Sequence, residues 1–246
     1  MSRILVESVS IDFPLTSARD RSLKNTALSR VTKIGGRVVD RAETSVVRAL
    51  DSVNFTLKDG DRLGLYGPNG AGKTTLIRTI AGIYAPTYGR LVVEGRLLPL
   101  FDIVTGVDEE STGYENIFIR GLIMGLSEKE IKAKTAEIAE FSELGFYLDF
   151  PIRTYSTGMM LRLMFSIATA VPGDIILMDE WLTVGDQQFK FKAQERLIAM
   201  TEQTGILVLA SQEERMLRQF CNVALRLEGW RVVQFGPVDE VLGAAA

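Results

Sequence analysis

The sequence predicts an α/β fold in which helices flank a mostly parallel β-sheet. The strongest indication is a glycine-rich stretch, residues 67–74, that follows the apolar run 63–66 and precedes the helical pattern of residues 76–81. Two more apolar runs, residues 175–178 and 205–210, have the length and composition of buried strands. Strands that alternate with helical segments are typical of a parallel sheet covered by helices.

The composition is that of an ordinary globular chain. Its 246 residues suffice for one large domain or two small ones. The net charge of −3 argues against a nucleic-acid partner. The single cysteine, Cys221, excludes an internal disulfide framework, and the absence of histidine excludes histidine-based metal sites and catalysis. No apolar run approaches the roughly 20 residues that span a bilayer, and the N-terminus lacks the apolar core of a signal peptide. We therefore expect a cytosolic chain that can still dock on a membrane partner.

Before the glycine-rich stretch, the pattern predicts two strands and a long irregular segment. Residues 4–13 and 49–57 alternate between apolar and polar side chains, as strands do, and residues 58–61 form a turn. Residues 14–48 contain few large apolar side chains, and between 17 and 48 they carry eight basic and three acidic residues. This segment is either a solvated loop or a surface for anionic headgroups or an acidic partner.

After the glycine-rich stretch, strands and helices alternate. Ser127 and Glu130 form a capping box that opens a helix, and Pro172 with Gly173 ends another. The sequence shows no internal repeat and predicts one unit with an α/β core. The predicted elements are extended segments at 90–93 and 97–104, helices at about 127–144, 157–171 and 187–201, and a hairpin of residues 223–227 and 231–235.

The glycine-rich stretch has the pattern G-x-x-x-x-G-K-[ST] of a phosphate-binding P-loop. Glycines allow main-chain N–H groups to approach a phosphate, and the start of the following helix adds the positive end of its dipole. Lys73 is expected to reach the β- and γ-phosphates, and the Thr74 hydroxyl to bind Mg²⁺. The predicted nucleotide-binding residues here are Gly67, Pro68, Asn69, Gly70, Ala71, Gly72, Lys73, Thr74 and Thr75.

Two carboxylates follow the apolar run 175–178. Asp179 lies where a strand of a parallel sheet would bring it beside the P-loop, so we expect it to hold Mg²⁺ with Thr74. Glu180 follows directly and is the candidate for polarising an attacking water. This combination is shared by kinases, GTPases and many ATPases.

The stretch Tyr155–Met160, Y-S-T-G-M-M, narrows the choice. It resembles the signature motif of ABC-transporter ATPases, L-S-G-G-Q. Ser156 and Gly158 match that motif, whereas Tyr155, Thr157 and Met159 do not. The order of P-loop, signature and acidic pair also fits the family, and the resemblance extends over residues 4–240.

The resemblance implies one ABC ATPase domain over residues 1–246, with a P-loop NTPase core, an antiparallel β subdomain and a helical subdomain at about 112–171. It also implies a homodimer that binds two ATP molecules with Mg²⁺, in which Ser156, Thr157 and Gly158 face the nucleotide of the other copy. Asp186 resembles the D-loop aspartate of the family. Phe13 occupies the position of an adenine-stacking aromatic residue, although a buried phenylalanine at a strand end fits its context as well.

The Y-S-T-G-M form of the signature, together with residues 112–116 and 179–186, looks most like the polysaccharide-exporting branch of the family, and the insertion at 14–48 also resembles that branch. That branch exports O-antigen, capsule or teichoic acid. By this resemblance the chain is a peripheral subunit on the cytoplasmic face of the inner membrane, driving two polytopic permease subunits that carry the polysaccharide. Residues 112–125 are the expected permease contact, and the extra C-terminal carbohydrate-binding domain found in some members is expected to be absent.

The sequence departs from the family at two places. Gln212 occupies the position of the usual switch histidine, and residues 97–114 contain no glutamine for a Q-loop. Glutamine can hydrogen-bond a phosphate oxygen but cannot become cationic. Three explanations stay open for Gln212: slow turnover, reliance on Glu180, or an altered residue.

Two alternatives to polysaccharide export follow: a slow or regulatory ATP-binding subunit, and an ABC ATPase for another exported substrate. An ABC ATPase acting on nucleic acid or ribosomes would need a second cassette or a coiled-coil insertion. The acidic candidates for the Q-loop position are Asp102, Asp108, Glu109 and Glu110.

Overall fold

The computed structural model describes residues 1–14, 37–41, 44–180 and 187–243. These residues form two compact units. The described residues of the first unit fall within Met1–Leu97, Asp174–Trp181 and Thr204–Ala246, and those of the second within Leu98–Gly173 and Leu182–Gln203.

The elements are numbered in chain order over the described residues. The strands are β1 (Arg3–Pro14), β2 (Arg37–Arg41), β3 (Thr44–Lys58), β4 (Arg62–Tyr66), β5 (Tyr88–Glu94), β6 (Leu97–Pro99), β7 (Ile175–Asp179), β8 (Ile206–Ala210), β9 (Val223–Glu228) and β10 (Arg231–Pro237). The helices are α1 (Lys73–Ile80), α2 (Gly113–Ile123), α3 (Glu128–Ser142), α4 (Thr157–Thr169), α5 (Gln187–Gln203), α6 (Glu214–Phe220) and α7 (Val238–Leu242), with 3₁₀ turns at Gly145–Asp149 and Ile152–Thr154.

One sheet of the first unit is antiparallel, with strand order β2-β3-β1-β5. Ile4 and Val6 of β1 are buried, and they pair with the buried Leu57 and Phe55 of β3. The alternation of apolar and polar residues that predicted strands at 4–13 and 49–57 therefore marks the side of each strand that packs into the core.

The prediction of an irregular segment over 14–48 is wrong at both of its described ends. Pro14 is the last residue of β1, and residues 37–41 pair with residues 44–48 as antiparallel strands. Pairs of β-branched valines, Val38–Val39 and Val46–Val47, lie opposite each other in this ladder, and such residues favour strands. The basic residues around them hid this short pattern. Residues 15–36 and 42–43 lie outside the described residues.

The second sheet supplies the parallel core that the sequence predicts. Strand β4 pairs in parallel with β8 on one side and with β9 on the other, β7 pairs in parallel with β8, and β10 pairs with β9 as an antiparallel hairpin. All five residues of β8 are buried. In this register Ala210 of β8 lies beside both Leu65 and Asp179. The carboxyl ends of β4, β7 and β8 therefore meet at one edge of the sheet.

The second unit is mostly helical and has its own aromatic core. Phe165 of α4 and Phe189 of α5 are fully buried and pack edge to face at 6.0 Å, and Phe141 of α3 contacts both rings. Lys192 and Arg196 lie over the Phe141 ring at 4.6 and 4.2 Å. None of the described helices is both long and apolar enough to cross a bilayer.

Helix α3 begins with the predicted capping box. The Ser127 backbone N–H donates to Glu130 Oε2 at 2.8 Å, and the Glu130 backbone N–H donates to Ser127 Oγ at 3.4 Å. The helix ends at Ser142 rather than near residue 144, because Glu143 adopts a left-handed conformation with φ of 57°. A second capping box, formed by Thr112 and Glu115, opens α2.

The extended segment predicted over residues 97–104 is shorter than expected. The strand ends at Pro99, and residues 101–106 form bends and turns. The Arg120 guanidinium of α2 donates to the carbonyls of Ile103, at 3.0 Å, and of Thr105. Asp102, inside the predicted segment, has a left-handed φ of 51°. The segment therefore turns, and a side chain from a later helix holds the turn. The apolar pattern of residues 97–104 could not predict that contact.

Candidate functional site

The P-loop connects β4 to α1, as the strand–turn–helix pattern predicts. Gly67 and Gly72 have φ of 145° and 107°, angles that favour glycine. A Cβ atom on Gly67 would lie 2.2 Å from the Leu227 carbonyl oxygen, and one on Gly72 would lie 2.8 Å from the Ala49 carbonyl oxygen. The loop is therefore pressed against neighbouring backbone, and only glycine fits at these two positions.

Helix α1 begins with free donors. Gly72 is its N-cap, no side-chain cap is found among the described residues, and its first turn contains no acidic residue. The first N–H groups of a helix have no partner within the helix and carry the positive end of its dipole. The start of α1 is therefore suited to an anion.

Lys73, the first residue of α1, folds back over the loop. Its ammonium group donates to the carbonyls of Gly67, at 2.6 Å, and of Pro68, at 3.0 Å. Burial lowers the pKa of Lys73, while the nearby carboxylates of Asp179 and Glu180 oppose that shift. The lysine is thus a cation beside the loop that can exchange these two carbonyls for stronger anionic acceptors.

One cavity of the first unit gathers most of the predicted site residues. It lies at the edge of the sheet where β4, β7 and β8 end. Its lining residues are Asn69, Gly70, Gly72, Lys73, Thr74, Thr75, Asp179, Glu180, Ala210 and Gln212. The predicted acidic pair and the predicted glutamine are therefore beside the P-loop, which is the arrangement expected from strands that run in parallel.

The two carboxylates at the end of β7 differ in environment. Asp179, the last residue of the strand, is half-buried, whereas Glu180 is exposed. Glu180 adopts a left-handed backbone conformation with φ of 71°, and its N–H donates to the Ala210 carbonyl at 2.9 Å. This conformation is uncommon outside glycine, so the backbone turns sharply at the residue predicted to polarise water.

The cavity contains oxygen donors that fit Mg²⁺. The Asp179 carboxylate and the Thr74 hydroxyl both line it, and Mg²⁺ prefers oxygen ligands and completes its shell with water and substrate phosphates. No cluster of three or more acidic, histidine or cysteine residues that could form an all-protein cage occurs among the described residues. The donor set therefore fits an ion that is held jointly by protein and phosphate.

Phe13 is not among the residues that line this cavity. It is half-buried near the end of β1 and packs edge to face on Tyr84, with ring centroids 5.1 Å apart. Its predicted contact with adenine stays a prediction.

The predicted signature residues lie in the second unit, at the start of α4. Ser156 is the N-cap of this helix, and its Oγ accepts a hydrogen bond from the Met159 backbone N–H at 3.2 Å. Ser156 and Thr157 are exposed, and Gly158 is half-buried. A second cavity, lined by Glu143, Leu144, Gly145, Phe146, Tyr147, Ser156, Gly158, Met159 and Arg162, opens beside them.

Asp186 lies outside the described residues. Among the Q-loop candidates, Asp108 accepts hydrogen bonds from the Ser111 hydroxyl and the Glu110 backbone N–H, which lower its pKa. Its carboxylate therefore organises its own loop, and the assignment of a Q-loop residue stays open.

Sequence reasoning missed one side chain that contacts the P-loop, Trp230, and the packing role of a residue that it had named, Tyr155. The Trp230 indole N–H donates to the Gly70 carbonyl of the P-loop at 3.0 Å, and the Tyr155 hydroxyl donates to the Tyr147 carbonyl at 2.6 Å. Burial raises the pKa of Tyr155 to about 12. Trp230 is far from the P-loop in sequence, so no local pattern could have found its contact. Tyr155 was recognised as a departure from the signature, but the motif gave no sign of the carbonyl that its hydroxyl reaches.

Comparison with known proteins gives a consistent result. The family model for the ABC transporter matches residues 50–183. The O-antigen export system ATP-binding protein RfbE of Yersinia enterocolitica is 42% identical over 93% of this chain and 95% of its own length. The corresponding RfbB protein of Myxococcus xanthus is 40% identical over 81% of this chain and 46% of its own. The teichoic acids export ATP-binding protein TagH of Staphylococcus haemolyticus is 36% identical over 85% of this chain and 79% of its own.

Solved structures agree at the level of the fold. An ATP-binding subunit of an ABC transporter superposes with a TM-score of 0.69 at 22% identity, covering 97% of this chain and 91% of that chain. A dimeric ATP-binding cassette in a post-hydrolysis state, bound to ADP and Pi, gives a TM-score of 0.66 at 18% identity, covering 96% of this chain and 98% of that chain. With a family model that covers more than half of the chain and a relative aligned over nearly its whole length, this chain belongs to the ABC transporter family.

Proposed function

We propose that this chain is the ATP-binding and ATP-hydrolysing subunit that powers export of a lipid-linked, O-antigen-like polysaccharide through a separate membrane permease. The observation that carries the proposal is the 42% identity, over 93% of this chain and 95% of the relative, to an O-antigen export system ATP-binding protein. The cavity beside the P-loop supplies the matching chemistry.

Binding of ATP follows from the loop and from α1. Main-chain N–H groups of residues 67–75 and the start of α1 would surround the β- and γ-phosphates. Lys73 would leave the carbonyls of Gly67 and Pro68, its hydrogen-bond partners in this structure, for phosphate oxygens. Because a charged acceptor binds an ammonium group more strongly than a neutral carbonyl does, this exchange favours binding.

Hydrolysis would use residues at the carboxyl ends of β7 and β8. Glu180 would orient water and accept its proton as the water oxygen attacks the γ-phosphorus and the bond to the β–γ bridging oxygen breaks, giving ADP and phosphate. Gln212 would donate its amide N–H to a γ-phosphate oxygen. Thr74 and Asp179 would hold Mg²⁺, which neutralises charge on the phosphates when it is bound.

Two copies of the chain would complete the site. The exposed N-terminal end of α4, with Ser156, Thr157 and Gly158, would face the γ-phosphate held by the other copy's P-loop, and Asp186 would lie at the same interface. Ser156 caps the Met159 N–H, which leaves the N–H groups of Thr157 and Gly158 without a partner inside the helix, and such groups favour an anion. Two ATP molecules would then hold the two copies together, and hydrolysis would allow the copies to separate.

The permease contact would lie on α2. The exposed fractions of Tyr114, Leu122 and Ile123 are 41%, 47% and 63%, so residues 112–125 present apolar side chains that a membrane subunit could cover. The complex would contain two permease subunits and sit on the cytoplasmic face of the inner membrane. The domain division is likewise a proposal: one ABC domain over 1–246, an insertion at 14–48, and a helical subdomain at about 112–171.

A purified-chain assay tests the ATPase proposal. We expect magnesium-dependent phosphate release that Glu180→Gln reduces by at least 100-fold, within the roughly 10²–10⁴-fold range of general-base catalysis. Equal turnover of parent and variant would contradict the proposed ATP hydrolysis. In the cell, loss of the chain is expected to abolish surface polysaccharide and Lys73→Ala to fail to restore it; unchanged polysaccharide would remove the export assignment.

A slow or regulatory ATP-binding subunit is a second candidate because Gln212 lines the cavity. The variant Gln212→His separates the two. If glutamine limits the rate, the histidine variant turns over faster by roughly 10²-fold, the effect typical of one preorganised hydrogen-bond donor. Measurable parent turnover that Gln212→His does not raise would argue against a rate-limiting glutamine.

A further inference from the structure

Three carbonyl oxygens of the P-loop accept hydrogen bonds from side chains. Lys73 donates to Gly67 and Pro68, and the Trp230 indole N–H donates to Gly70 at 3.0 Å. A phosphate site needs N–H groups toward the anion and carbonyl oxygens away from it, because the carbonyl end of the peptide dipole repels negative charge. These donors therefore select the loop orientation that an anion requires.

The Gly70 peptide is the one that most needs such a donor. Gly70 is exposed and has φ of 76°, and glycine populates positive and negative φ about equally. Rotation of the peptide that follows it would turn the carbonyl oxygen into the cavity that Gly70 itself lines. Lys73 is expected to leave its carbonyls when phosphate arrives, whereas the indole N–H is a neutral donor with no acceptor function and can stay in place.

Trp230 is itself fixed from the other side. It lies in the turn between β9 and β10 with φ of 67°, and its carbonyl accepts a hydrogen bond from the Asp51 backbone N–H at 2.9 Å. The Asp51 carboxylate accepts from Arg231 Nε at 2.7 Å and from Arg48 Nη1 at 3.2 Å. Arg48 also forms a two-point ion pair with Asp12, at 2.8 and 3.0 Å.

The same hairpin presses on the loop at a second point. The Leu227 carbonyl of β9 lies so close to Gly67 that no Cβ atom fits between them. Contacts at Gly67 and Gly70 therefore come from one hairpin, whose turn is hydrogen-bonded to Asp51 of β3.

From these contacts we infer that Trp230 is a positioning residue for nucleotide binding: it pins the Gly70 carbonyl away from the phosphate site. The inference rests on the proposed ATP-binding function. It predicts a specific kinetic signature, because a loop that holds phosphate equally in the ground state and the transition state affects KM and leaves kcat unchanged.

The test compares Trp230→Phe with Asn222→Ala in the full chain. Phenylalanine removes the N–H donor and retains an aromatic ring. Asn222 donates to the Gly60 carbonyl at 2.9 Å and accepts from the Arg62 N–H at 2.8 Å, at the end of β4 opposite the P-loop, so its loss controls for general loosening of this unit.

For Trp230→Phe we expect ATP binding, measured by titration calorimetry, to weaken by about threefold to tenfold, the effect of one hydrogen bond. KM for ATP should rise by a similar factor while kcat at saturation stays within twofold, and Asn222→Ala should bind ATP within twofold of the parent. Equal binding by Trp230→Phe and the parent would overturn the inference. So would equal weakening in both variants, or a loss of kcat at unchanged KM.

A spectroscopic measurement on the parent keeps the test valid if Trp230→Phe fails to fold. The sequence contains two tryptophans, so a ¹⁵N-labelled sample shows two indole N–H resonances, which Trp181→Phe assigns. The Trp230 indole proton should exchange more slowly than in the urea-unfolded chain, and its resonance should shift when ATP is added. Exchange as fast as in the unfolded chain, or no shift at saturating ATP, would refute the contact. If instead the parent and Lys73→Ala show the same ATP affinity, or neither binds, the proposed function fails. If the parent binds ATP and Trp230→Phe binds it equally well, only the role of Trp230 is refuted.

Discussion

Substitution of Gly67 by alanine is the sharpest test of how the P-loop is built. Its φ of 145° lies in a region essentially restricted to glycine, where another residue costs about 1–3 kcal/mol. The added Cβ would lie 2.2 Å from the Leu227 carbonyl oxygen, roughly 1 Å inside an ordinary carbon–oxygen contact. Overpacking of this kind costs about 1–3 kcal/mol more. The two costs together predict a loss of roughly 2–6 kcal/mol in the free energy of unfolding.

The matched control is Gly82→Ala. Gly82 also has a positive φ, 77°, but a Cβ there would meet no atom within 4 Å, so only the left-handed backbone cost of roughly 1–2 kcal/mol applies. At about 2–4 °C per kcal/mol for a chain of this size, thermal unfolding should fall by roughly 2–8 °C in the control. It should fall further in Gly67→Ala, which should also bind ATP at least tenfold more weakly. Equal melting temperatures and unchanged ATP affinity in the two variants would refute the close approach of β9 to the loop.

Three further outcomes are expected from contacts elsewhere in the molecule. The Ser2 backbone N–H donates to Asp59 and lowers the pKa of that carboxyl below its ordinary 3.8; Asp59→Asn should therefore lower the melting temperature at pH 7, and the difference should vanish as the pH falls through the native pKa. If the difference persisted at that acidic pH, the carboxylate would not be its cause. Burial raises the pKa of the Cys221 thiol to about 12, so at pH 8 a thiol reagent should label the native chain at least roughly 100-fold more slowly than the urea-unfolded chain, and comparable rates would contradict its burial. Ser127→Ala removes the capping box of α3 and should lower the free energy of unfolding by about 1 kcal/mol without changing ATP affinity; a change in ATP affinity would show that the cap reaches the site.

The sequence predicted those parts of the fold whose cause is local. The strand–turn–helix arrangement of the P-loop, the buried strands and the capping box of α3 each depend on residues that are neighbours in the chain, and all three are confirmed. The errors have two kinds of cause. Strand β2 pairs with residues that follow it closely in the chain, Arg41 with Thr44, and its short valine pattern was missed among basic residues. The run after Pro99 turns because Arg120, a side chain from a later helix, donates to its carbonyls.

The candidate site divides in the same way. Asp179 and Glu180 could be placed beside the P-loop from sequence because they stand at the end of a strand, and parallel strands end at one edge of a sheet. Gln212 could be placed there from its resemblance to the position of the family's switch histidine. Trp230 could not, because its contact with Gly70 spans 160 positions and depends on the register of the β9–β10 hairpin. A motif defines the residues that touch a ligand, but the residues that hold the motif in shape are supplied by whichever elements the topology brings next to it.

The donors around the P-loop also explain how a loop rich in exposed backbone can keep one conformation. A glycine-rich segment gains freedom to approach a phosphate and loses the steric restraints that would fix its carbonyls. Here Leu227 and Ala49 restrain Gly67 and Gly72 through backbone contact, and hydrogen bonds restrain the carbonyls between and beside them. Lys73 can serve as a restraint only until a phosphate attracts its charge, whereas Trp230 has no charge to exchange. The loop therefore combines one restraint that responds to the nucleotide with one that persists, so that Lys73 can change partners while the Gly70 peptide keeps its orientation.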